Sequence, residues 1–314
     1  MKAMVIRQYG SPEVLQYEDV EQPKIESKQL LVKVYATSIN PIDWKTRKGM
    51  LSFLTWYQFP KILGFDVAGE VVEVGSEVTR FQVGDSIYGS TSFPGGAYAE
   101  YAAIPENLAA LKPTNLTYEE AAAVPLAALT ALQALRDQGN IQTGLRVLIN
   151  GAAGGVGTFG VQIAKALGAE VTGVSSTKNL DLVKSLGADY VIDYTQQDFT
   201  QGTGQYDIIF DVVGKRSLSA TKGVLKPNGV YITTLPSPEV LLEGVLTAFI
   251  PGQKAKFIIE NPNTKDLVYL KDLIETGKIR VIIDRTYTLQ ELAAAHTYSE
   301  TERAVGKIAI AVPS

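Results

Sequence analysis

The strongest structural signal in this chain of 314 residues is the stretch Arg146-Val-Leu-Ile-Asn150-Gly-Ala-Ala-Gly154-Gly-Val-Gly157-Thr-Phe-Gly-Val-Gln-Ile-Ala-Lys-Ala-Leu167. It opens with a short apolar run, continues with closely spaced glycines, and ends in a helix-forming run from Gly157 to Leu167. This order predicts a buried strand, a tight turn and a helix.

The glycines of this turn have the spacing of a nucleotide-binding loop. Residues Ala152-x-Gly154-x-x-Gly157 match the dinucleotide fingerprint, with alanine in its first position. Gly154 would let the backbone approach a pyrophosphate, and Gly157 would let the helix pack closely on the strand. The helix N-terminus would then direct its unpaired N–H groups at the phosphates. The cofactor-binding residues predicted in this loop are Ala152, Ala153, Gly154, Gly155, Val156 and Gly157.

A glycine turn can also be purely structural, so the surrounding pattern decides between the two interpretations. Further strand candidates follow at regular intervals, with helical stretches between most of them: Glu170–Val174, Tyr190–Asp193, Asp207–Asp211 and Val230–Thr234. Strands that alternate with short helices indicate βαβ units and a doubly wound parallel sheet. Because the glycine loop lies between a strand and a helix in such a series, we favour the nucleotide-binding interpretation.

The rest of the chain predicts a second domain of the α/β protein. Residues 1 to about 120 are rich in short β-branched runs separated by Gly and Pro, which indicates a compact, partly open β-barrel. A helical stretch from Glu119 to Arg136 is interrupted by Pro125, so we expect two helices there. The tail, with strands at Arg280–Asp284 and Lys307–Val312, is too short for its own core and should return to the barrel. The predicted domains are 1–123 with 265–314, and 124–264.

Composition excludes several classes of function. The chain is 46% hydrophobic with a net charge of −4, it contains no cysteine, and it has no basic cluster denser than Lys45 to Lys48. Nucleic-acid binding, disulfides, iron–sulfur clusters and thiolate zinc sites are therefore not expected. The longest uncharged run, Val147–Ala164, contains five glycines and makes a poor membrane span. We expect a soluble, cytoplasmic protein.

The end of the second predicted parallel strand indicates which nicotinamide cofactor is used. An NAD site normally has an acidic residue there to bind the ribose hydroxyl, but this chain has Ser175, Ser176 and Lys178, with no acid before Asp181. Hydroxyl groups and an ammonium would instead bind a 2′-phosphate, which favours NADPH. Tyr194, after the third strand, could cover the adenine or reach the same phosphate. The alternative is that Lys178 belongs to a solvated loop.

The order of short motifs along the whole chain resembles one family. The motifs are Ala36-Thr-Ser-Ile-Asn40-Pro-Ile-Asp43, Gly64-Phe-Asp-Val-Ala-Gly69-Glu, Val83-Gly-Asp85, Gly95-Gly-Ala-Tyr-Ala-Glu100, Pro125-Leu-Ala-Ala-Leu-Thr130-Ala, the glycine loop and Gly306-Lys-Ile308. They are similar to those of the medium-chain dehydrogenases/reductases, in the zinc-free quinone oxidoreductase branch. Within that branch, Ile39–Gly49 resembles chloroplast-envelope-type quinone oxidoreductases and enone reductases.

The resemblance implies a GroES-like barrel domain, a Rossmann domain inserted in it, and no metal. Zinc-dependent relatives have a Cys and a His as ligands where this chain has Asn40 and Phe65. The single histidine, His296, is expected to be a half-buried packing residue rather than a ligand. The resemblance also implies a homodimer.

The resemblance further implies where the cofactor lies. Asn40 and Thr130 match residues on the nicotinamide side. Two segments after the fourth and fifth predicted strands match the adenosine side and the carboxamide side: Val212, Val213 and Gly214, and then Thr234, Leu235 and Pro236. These segments follow the carboxyl ends of strands, where an open α/β sheet binds its ligand.

The implied activity is hydride transfer from NADPH to quinones or α,β-unsaturated carbonyl compounds without zinc. Asn40 is the expected polar contact beside the nicotinamide, or else it caps the following turn. Tyr57, in the aromatic segment Met50–Phe59, is a possible proton donor, unless that segment is a hydrophobic helix packed on the barrel. The alternative functions are a non-catalytic NADPH-binding sensor or structural protein, and an enoyl-thioester reductase.

Overall fold

The computed structural model describes residues 1–52, 59–202, 205–235 and 237–313. These residues form two compact units: Met1–Ala127, Pro262–Thr276 and Val281–Ser314 make up the barrel unit, and Ala128–Asn261 with Gly277–Arg280 makes up the sheet unit. The domain limits drawn from the sequence remain a prediction.

The N-terminal part of the barrel unit consists mainly of strands. They are β1 (Lys2–Ile6), β2 (Gln16–Asp19), β3 (Gln29–Ile39), β4 (Lys61–Ile62), β5 (Asp66–Val74), β6 (Ser86–Ser90), β7 (Tyr101–Pro105) and β8 (Ala109–Leu111). Two short helices, α1 (Pro41–Arg47) and α2 (Tyr118–Ala122), accompany them. Proline at the first position of α1 has a φ angle suited to a helix start and needs no N–H partner there.

The middle of the chain alternates helices and strands. In chain order they are α3 (Pro125–Gln133), β9 (Arg146–Asn150), α4 (Gly155–Ala166), β10 (Glu170–Ser175), α5 (Leu180–Ser185), β11 (Tyr190–Asp193), β12 (Tyr206–Asp211), α6 (Leu218–Thr221), β13 (Leu225–Thr233), α7 (Pro238–Ala248) and β14 (Lys254–Phe257). The split of the alanine-rich stretch into α2 and α3 confirms the interruption expected at Pro125.

The C-terminal part returns to the barrel unit, as expected. Its elements are α8 (Thr264–Glu275), β15 (Ile283–Thr288), α9 (Leu292–Ser299) and β16 (Lys307–Ala311). The strand predicted at Arg280–Asp284 was misplaced, because the chain only becomes extended and paired with β16 from Ile283 onward.

The barrel unit is built around the long strand β3. Its sheet has the order β15-β16-β3-β5-β6-β8, with β7 also paired to β3, and a smaller sheet has the order β2-β1-β4. The pairing of β3 with β5 shifts register twice, and such irregularities bend a strand and help a sheet to curl. Inward-facing Leu, Ile and Val side chains from both chain ends share one buried core. The GroES-like barrel inferred from the resemblance is confirmed.

The sheet unit is a parallel, doubly wound sheet, also as expected. Its strand order is β11-β10-β9-β12-β13-β14, and all neighbours are parallel. This is the Rossmann arrangement, in which the first strand pairs with the second on one side and the fourth on the other. Strand β14, a four-residue edge strand with two lysines, was not predicted, and β13 begins at Leu225, five residues before the predicted Val230. No helix in the described ranges is long and apolar enough to cross a membrane.

Candidate functional site

The strand order of the sheet unit creates a crevice at the carboxyl ends of β9 and β12. These central strands are neighbours, and the last residue of each, Asn150 and Asp211, pair with one another across the ladder. From β9 the chain winds to β10 on one side, and from β12 it winds to β13 on the other. Open α/β sheets bind ligands at this topological switch point.

The glycine loop fills the start of this crevice and aims the N-terminus of α4 at it. Gly151 has a φ of +85°, and the N–H groups of Gly151 and Ala152 donate to the carbonyl of Val174, at 3.1 and 3.0 Å. Gly154 is the N-cap of α4, and the first bond of the helix runs from Thr158 N to Gly154 O at 2.9 Å. The N–H groups of residues 155–157 therefore have no acceptor within the helix. The helix begins two residues before the predicted Gly157.

Two glycines of the loop are present for different physical reasons. A Cβ on Gly157 would lie 2.0 Å from the carbonyl oxygen of Gly151, so only glycine allows α4 to come this close to the end of β9. A Cβ on Gly154 would find only Gly151 O, at an ordinary 3.4 Å. Packing within the chain therefore demands glycine at 157 but not at 154. Open space before free helical N–H groups fits a phosphate group, which needs close backbone approach.

The loop after β12 is held by the buried carboxylate of Asp211. Its Oδ1 accepts from the Asn150 side-chain amide (2.8 Å) and from the backbone N–H groups of Val213 (3.1 Å) and Gly214 (3.0 Å). Its Oδ2 accepts from the Tyr231 hydroxyl at 2.9 Å. Burial, and then the Asp211 charge, raise the pKa of Tyr231, so this phenol stays protonated and donates. Asp211 thus fixes the predicted adenosine-side loop against the end of β9.

The segment after β13 contacts the same loop. Thr234 donates its hydroxyl to the carbonyl of Val212 at 3.1 Å. Gly214 has a φ of +68°, and a Cβ there would come within 2.6 Å of the Leu235 side chain. The structure therefore brings these predicted cofactor residues together in the sheet unit, whereas Pro236 lies outside the described residues.

The end of β10 has the predicted hydroxyls and lysine, and the neighbouring strand β11 adds an acid that was not predicted to contact them. Ser175 is buried, Ser176 precedes a short 3₁₀ turn, and Lys178 is exposed within it. Asp193, at the end of the neighbouring strand β11, accepts a 2.5 Å hydrogen bond from the Thr177 hydroxyl, and this bond lowers the pKa of Asp193. The Asp193 carboxylate is thus engaged by the turn. Tyr194 beside it is 60% exposed, which suits a ring that covers a base.

In the barrel unit, Asn40 lies in a buried network of charged and polar groups. Its Nδ2 donates to Asp66 Oδ2 at 2.8 Å, and its Oδ1 accepts from the Lys307 ammonium at 2.5 Å. Asp66 also accepts from the Ser38 hydroxyl (2.5 Å) and the Leu126 N–H (2.9 Å). The Asn40 side chain is only 2% exposed. The contact partners of this amide are therefore charged groups, which the sequence analysis did not anticipate.

A second buried group, Asp43, caps α1. Its Oδ2 accepts from the Asn40 backbone N–H at 2.7 Å and from the Tyr98 hydroxyl at 2.9 Å. Its other oxygen, Oδ1, has no hydrogen-bond partner among the described residues. Burial raises the pKa of Asp43 to about 7 against these hydrogen bonds. Asp43 therefore changes protonation in the neutral range while it orients the loop around Asn40.

His296 was predicted to be half-buried, and this was wrong. The ring is fully buried, and its edge faces Tyr98 with 5.6 Å between centroids. In the part of the chain that the structure describes, neither ring nitrogen has a hydrogen-bond partner. Burial, followed by the nearby Arg47 charge, lowers the pKa of His296 to about 3. The imidazole is neutral at physiological pH. Across the described residues, no three His, Asp or Glu side chains are grouped as metal ligands.

Of the other two predicted site residues, Thr130 is described by the structure and Tyr57 is not. Thr130 is buried in α3 within the sheet unit. Tyr57 and most of the segment Met50–Phe59 lie outside the described residues, so the proton-donor hypothesis stays a prediction. Sequence reasoning missed Asp66, Asp211 and Lys307 as site residues. The available signal was a charged residue at one end of a mostly apolar strand: Asp211 is the last residue of β12, and Lys307 is the first residue of β16.

The barrel, the Rossmann sheet and the fingerprint loop together define a dinucleotide-dependent oxidoreductase fold, and comparison with known proteins agrees. Residues 26–114 match the family described as alcohol dehydrogenase GroES-like domain, and residues 186–310 match the family described as zinc-binding dehydrogenase. The chain is 38% identical to a 2-methylene-furan-3-one reductase of Solanum lycopersicum and 36% identical to an NADPH-dependent alkenal/one oxidoreductase of Arabidopsis thaliana. Each alignment covers 99% of this chain and 79% of the relative.

Solved structures give the same result. The quinone oxidoreductase from Coxiella burnetii aligns with a TM-score of 0.91 and 34% identity, over 100% of this chain and 99% of the other. The protein belongs to the medium-chain dehydrogenases/reductases, in their zinc-free quinone oxidoreductase branch. The zinc in the description of one matching family does not carry over, because this chain has no cysteine and has Asn40 and Phe65 at the predicted ligand positions.

The raised pKa of Asp43 predicts a specific pH dependence of stability. An aspartate in the unfolded chain releases its proton near pH 4, whereas the folded protein keeps it until about pH 7. The stabilising contribution of the bound proton is complete below about pH 4 and is lost as the pH rises to about 7. The stability of the wild type relative to Asp43→Asn should therefore fall by up to about 1.4 kcal/mol per pH unit across this window and level off above it.

Calorimetric melting of both proteins between about pH 5 and 8 measures this difference. The lowered pKa of His296 makes stability fall toward acidic pH, which is the opposite dependence. Both proteins contain His296, so this contribution cancels in the difference between their stabilities. A difference in stability that does not change with pH over this range would show that Asp43 does not titrate there, and would contradict a pKa of about 7.

Proposed function

We propose that this protein is an NADPH-dependent reductase of quinones or α,β-unsaturated carbonyl compounds. The observation that supports this most directly is the open N-terminus of α4 at the switch point of the sheet, where Gly154 is not required by packing within the chain. The names of the similar proteins, which include alkenal/one and 2-methylene-furan-3-one reduction, support the substrate class.

The residues of the sheet unit fit a dinucleotide. The N–H groups at the start of α4 would bind the pyrophosphate, the Val212–Gly214 loop would line the adenosine side, and Thr234 with Leu235 would lie toward the carboxamide. Ser175, Ser176 and Lys178 would bind a 2′-phosphate, with Tyr194 over the adenine. When bound, the nicotinamide ring supplies the hydride.

The barrel unit supplies a polar group in a dry environment. Asn40 carries a carboxamide, which is a neutral hydrogen-bond donor, and it is held among buried charges at low solvent exposure. A fixed donor of this kind stabilises negative charge that develops on a carbonyl or quinone oxygen, typically by about 3 kcal/mol. Tyr57 remains the proposed proton donor. A cytoplasmic location and a homodimer also stay predictions.

The proposed activity is tested by NADPH oxidation, followed through its near-ultraviolet absorbance, with a panel of quinones and enones. We expect turnover with at least one quinone or enone. Saturated ketones should not react, because hydride addition to an unactivated carbonyl needs stronger oxygen activation than an amide gives. Saturable NADPH binding without turnover on any acceptor would instead support a non-catalytic sensor.

The preference for NADPH over NADH is expected to depend on Lys178. Replacing it in Lys178→Ala removes a charge-assisted hydrogen bond to the 2′-phosphate, which is typically worth about 1.5–3 kcal/mol. The Kd for NADPH should rise about tenfold or more, while the Kd for NADH, which lacks this phosphate, should change little. Both constants can be measured by calorimetric titration.

A matched control is Lys184→Ala, which removes another exposed lysine of the sheet unit, from α5. The control should bind both nucleotides like the wild type. Equal losses for NADPH and NADH in Lys178→Ala, or a wild type that prefers NADH, would contradict the proposed 2′-phosphate site.

A further inference from the structure

The buried network around Asn40 contains a charge arrangement that fixes one orientation of the amide. The Lys307 ammonium can only donate hydrogen bonds, and the Asp66 carboxylate can only accept them. The ammonium contacts the Oδ1 side of the Asn40 amide and the carboxylate contacts its Nδ2 side. A flipped amide would direct its N–H groups at the ammonium and its oxygen at the carboxylate, so the opposed charges exclude that orientation.

Lys307 is itself rigidly held. Its side chain is 4% exposed, and Nζ also donates to the carbonyl of Ile39 at 3.2 Å and lies 3.5 Å from Asp66 Oδ2. Its backbone N–H donates to Ile282 O at 2.8 Å. The preceding Gly306 has a φ of +76°, and a Cβ there would lie 2.2 Å from Ile282 O. Backbone packing and three acceptors therefore leave this ammonium no freedom to point elsewhere.

The same geometry leaves part of Asn40 available. The amide nitrogen carries two hydrogens, and one of them is taken by Asp66. Within the described residues, the bond to Asp66 is the one hydrogen bond that Nδ2 donates. A hydrogen bond accepted by Oδ1 from a cation polarises the amide and strengthens its remaining N–H as a donor.

We propose that Lys307, together with Asp66, is a positioning residue that orients and polarises the Asn40 carboxamide, so that its second N–H is presented to the reacting groups. This inference rests on the proposed function, because it assigns the presented N–H to the oxygen that gains negative charge. No bond to substrate is required of Lys307 itself.

The test is a cycle of variants in which both charges of the Lys307–Asp66 ion pair are removed together. Lys307→Met alone would leave the Asp66 charge buried without its cation, and such a variant can fail to fold. The double variant Lys307→Met/Asp66→Asn removes both charges with little change in volume. It is compared with the wild type, with Asn40→Ala, and with the triple variant, by stopped-flow measurement of the hydride-transfer rate and by the Kd for NADPH.

We expect the double variant to lose about 10- to 100-fold in hydride-transfer rate, by analogy with the cost of removing a hydrogen-bond partner that orients a metal ligand. Its Kd for NADPH should stay within about threefold, because the proposed pyrophosphate site lies in the sheet unit. In the Asn40→Ala background, removal of the pair should cost less than about threefold, since the amide through which it acts is gone. Equal losses in the two backgrounds would refute the proposal and indicate a structural role.

A lysine-to-methionine control in the same unit is Lys271→Met, which breaks the Lys271–Glu275 ion pair of α8. Its hydride-transfer rate should stay within about twofold of the wild type. A loss as large as that of the double variant would show that the rate follows stability alone, and would overturn the proposal.

A measurement independent of catalysis separates this proposal from the proposed function. The side-chain amide protons of Asn40, assigned by their absence in Asn40→Ala, should exchange slowly with solvent in the wild type and at least about tenfold faster in the double variant. Unchanged exchange would refute orientation by the ion pair even in an active enzyme. A wild type that reduced no acceptor would instead refute the proposed function, and the exchange rates would still decide whether the pair orients Asn40.

Discussion

The close approach of α4 to the end of β9 is the constraint on which the sheet unit depends. The absence of a Cβ at Gly157 lets the first turn of the helix lie against the carbonyl of Gly151, where any side chain would clash at 2.0 Å. The helix therefore starts at the switch point of the sheet, and its unpaired N–H groups face the crevice. Asp211 then holds the next loop against the same edge through backbone N–H groups. The absence of a side chain at Gly157 thus sets the position of the predicted pyrophosphate contacts at the start of α4.

The barrel unit orders its polar residue by a different physical means. Buried polar groups are costly unless they are paired, and here the pairing is ionic: an ammonium and a carboxylate hold the two ends of one amide. Zinc-dependent relatives are expected to place a metal ligand at the position of Asn40. In this chain the position is instead held by Asn40, whose amide lies between the Lys307 ammonium and the Asp66 carboxylate.

The sequence predicted the features that depend on local spacing. The glycine loop, the βαβ alternation and the interruption at Pro125 each follow from residues a few positions apart, and all three are present. The strand β14 was missed because four residues with two lysines do not form a recognisable apolar run. The full burial of His296 was missed because a lone histidine in an alanine-rich helix gives no indication of how deeply the helix is covered.

The hydrogen-bond network around Asn40 could not be predicted from the sequence, for a different reason. Lys307 and Asn40 are 267 positions apart in the chain, and only the return of β16 to β3 places them side by side. A single sequence carries no signal for such a contact beyond a charge at the start of an apolar strand. The same holds for Asp193, which meets Thr177 only because β10 and β11 are neighbours.

A dinucleotide phosphate that occupies the open space before the N-terminus of α4 should be blocked by a methyl group at position 154, which NADPH titration of Gly154→Ala measures. A methyl group there meets nothing closer than 3.4 Å within the chain, so the fold should melt as the wild type does. It would nevertheless stand between the phosphate and the amides, and the Kd for NADPH should rise at least about tenfold, equivalent to about 1.4 kcal/mol. Gly160→Ala, farther along α4, should bind normally. Unchanged NADPH affinity in Gly154→Ala would show that the phosphate does not bind at this helix N-terminus.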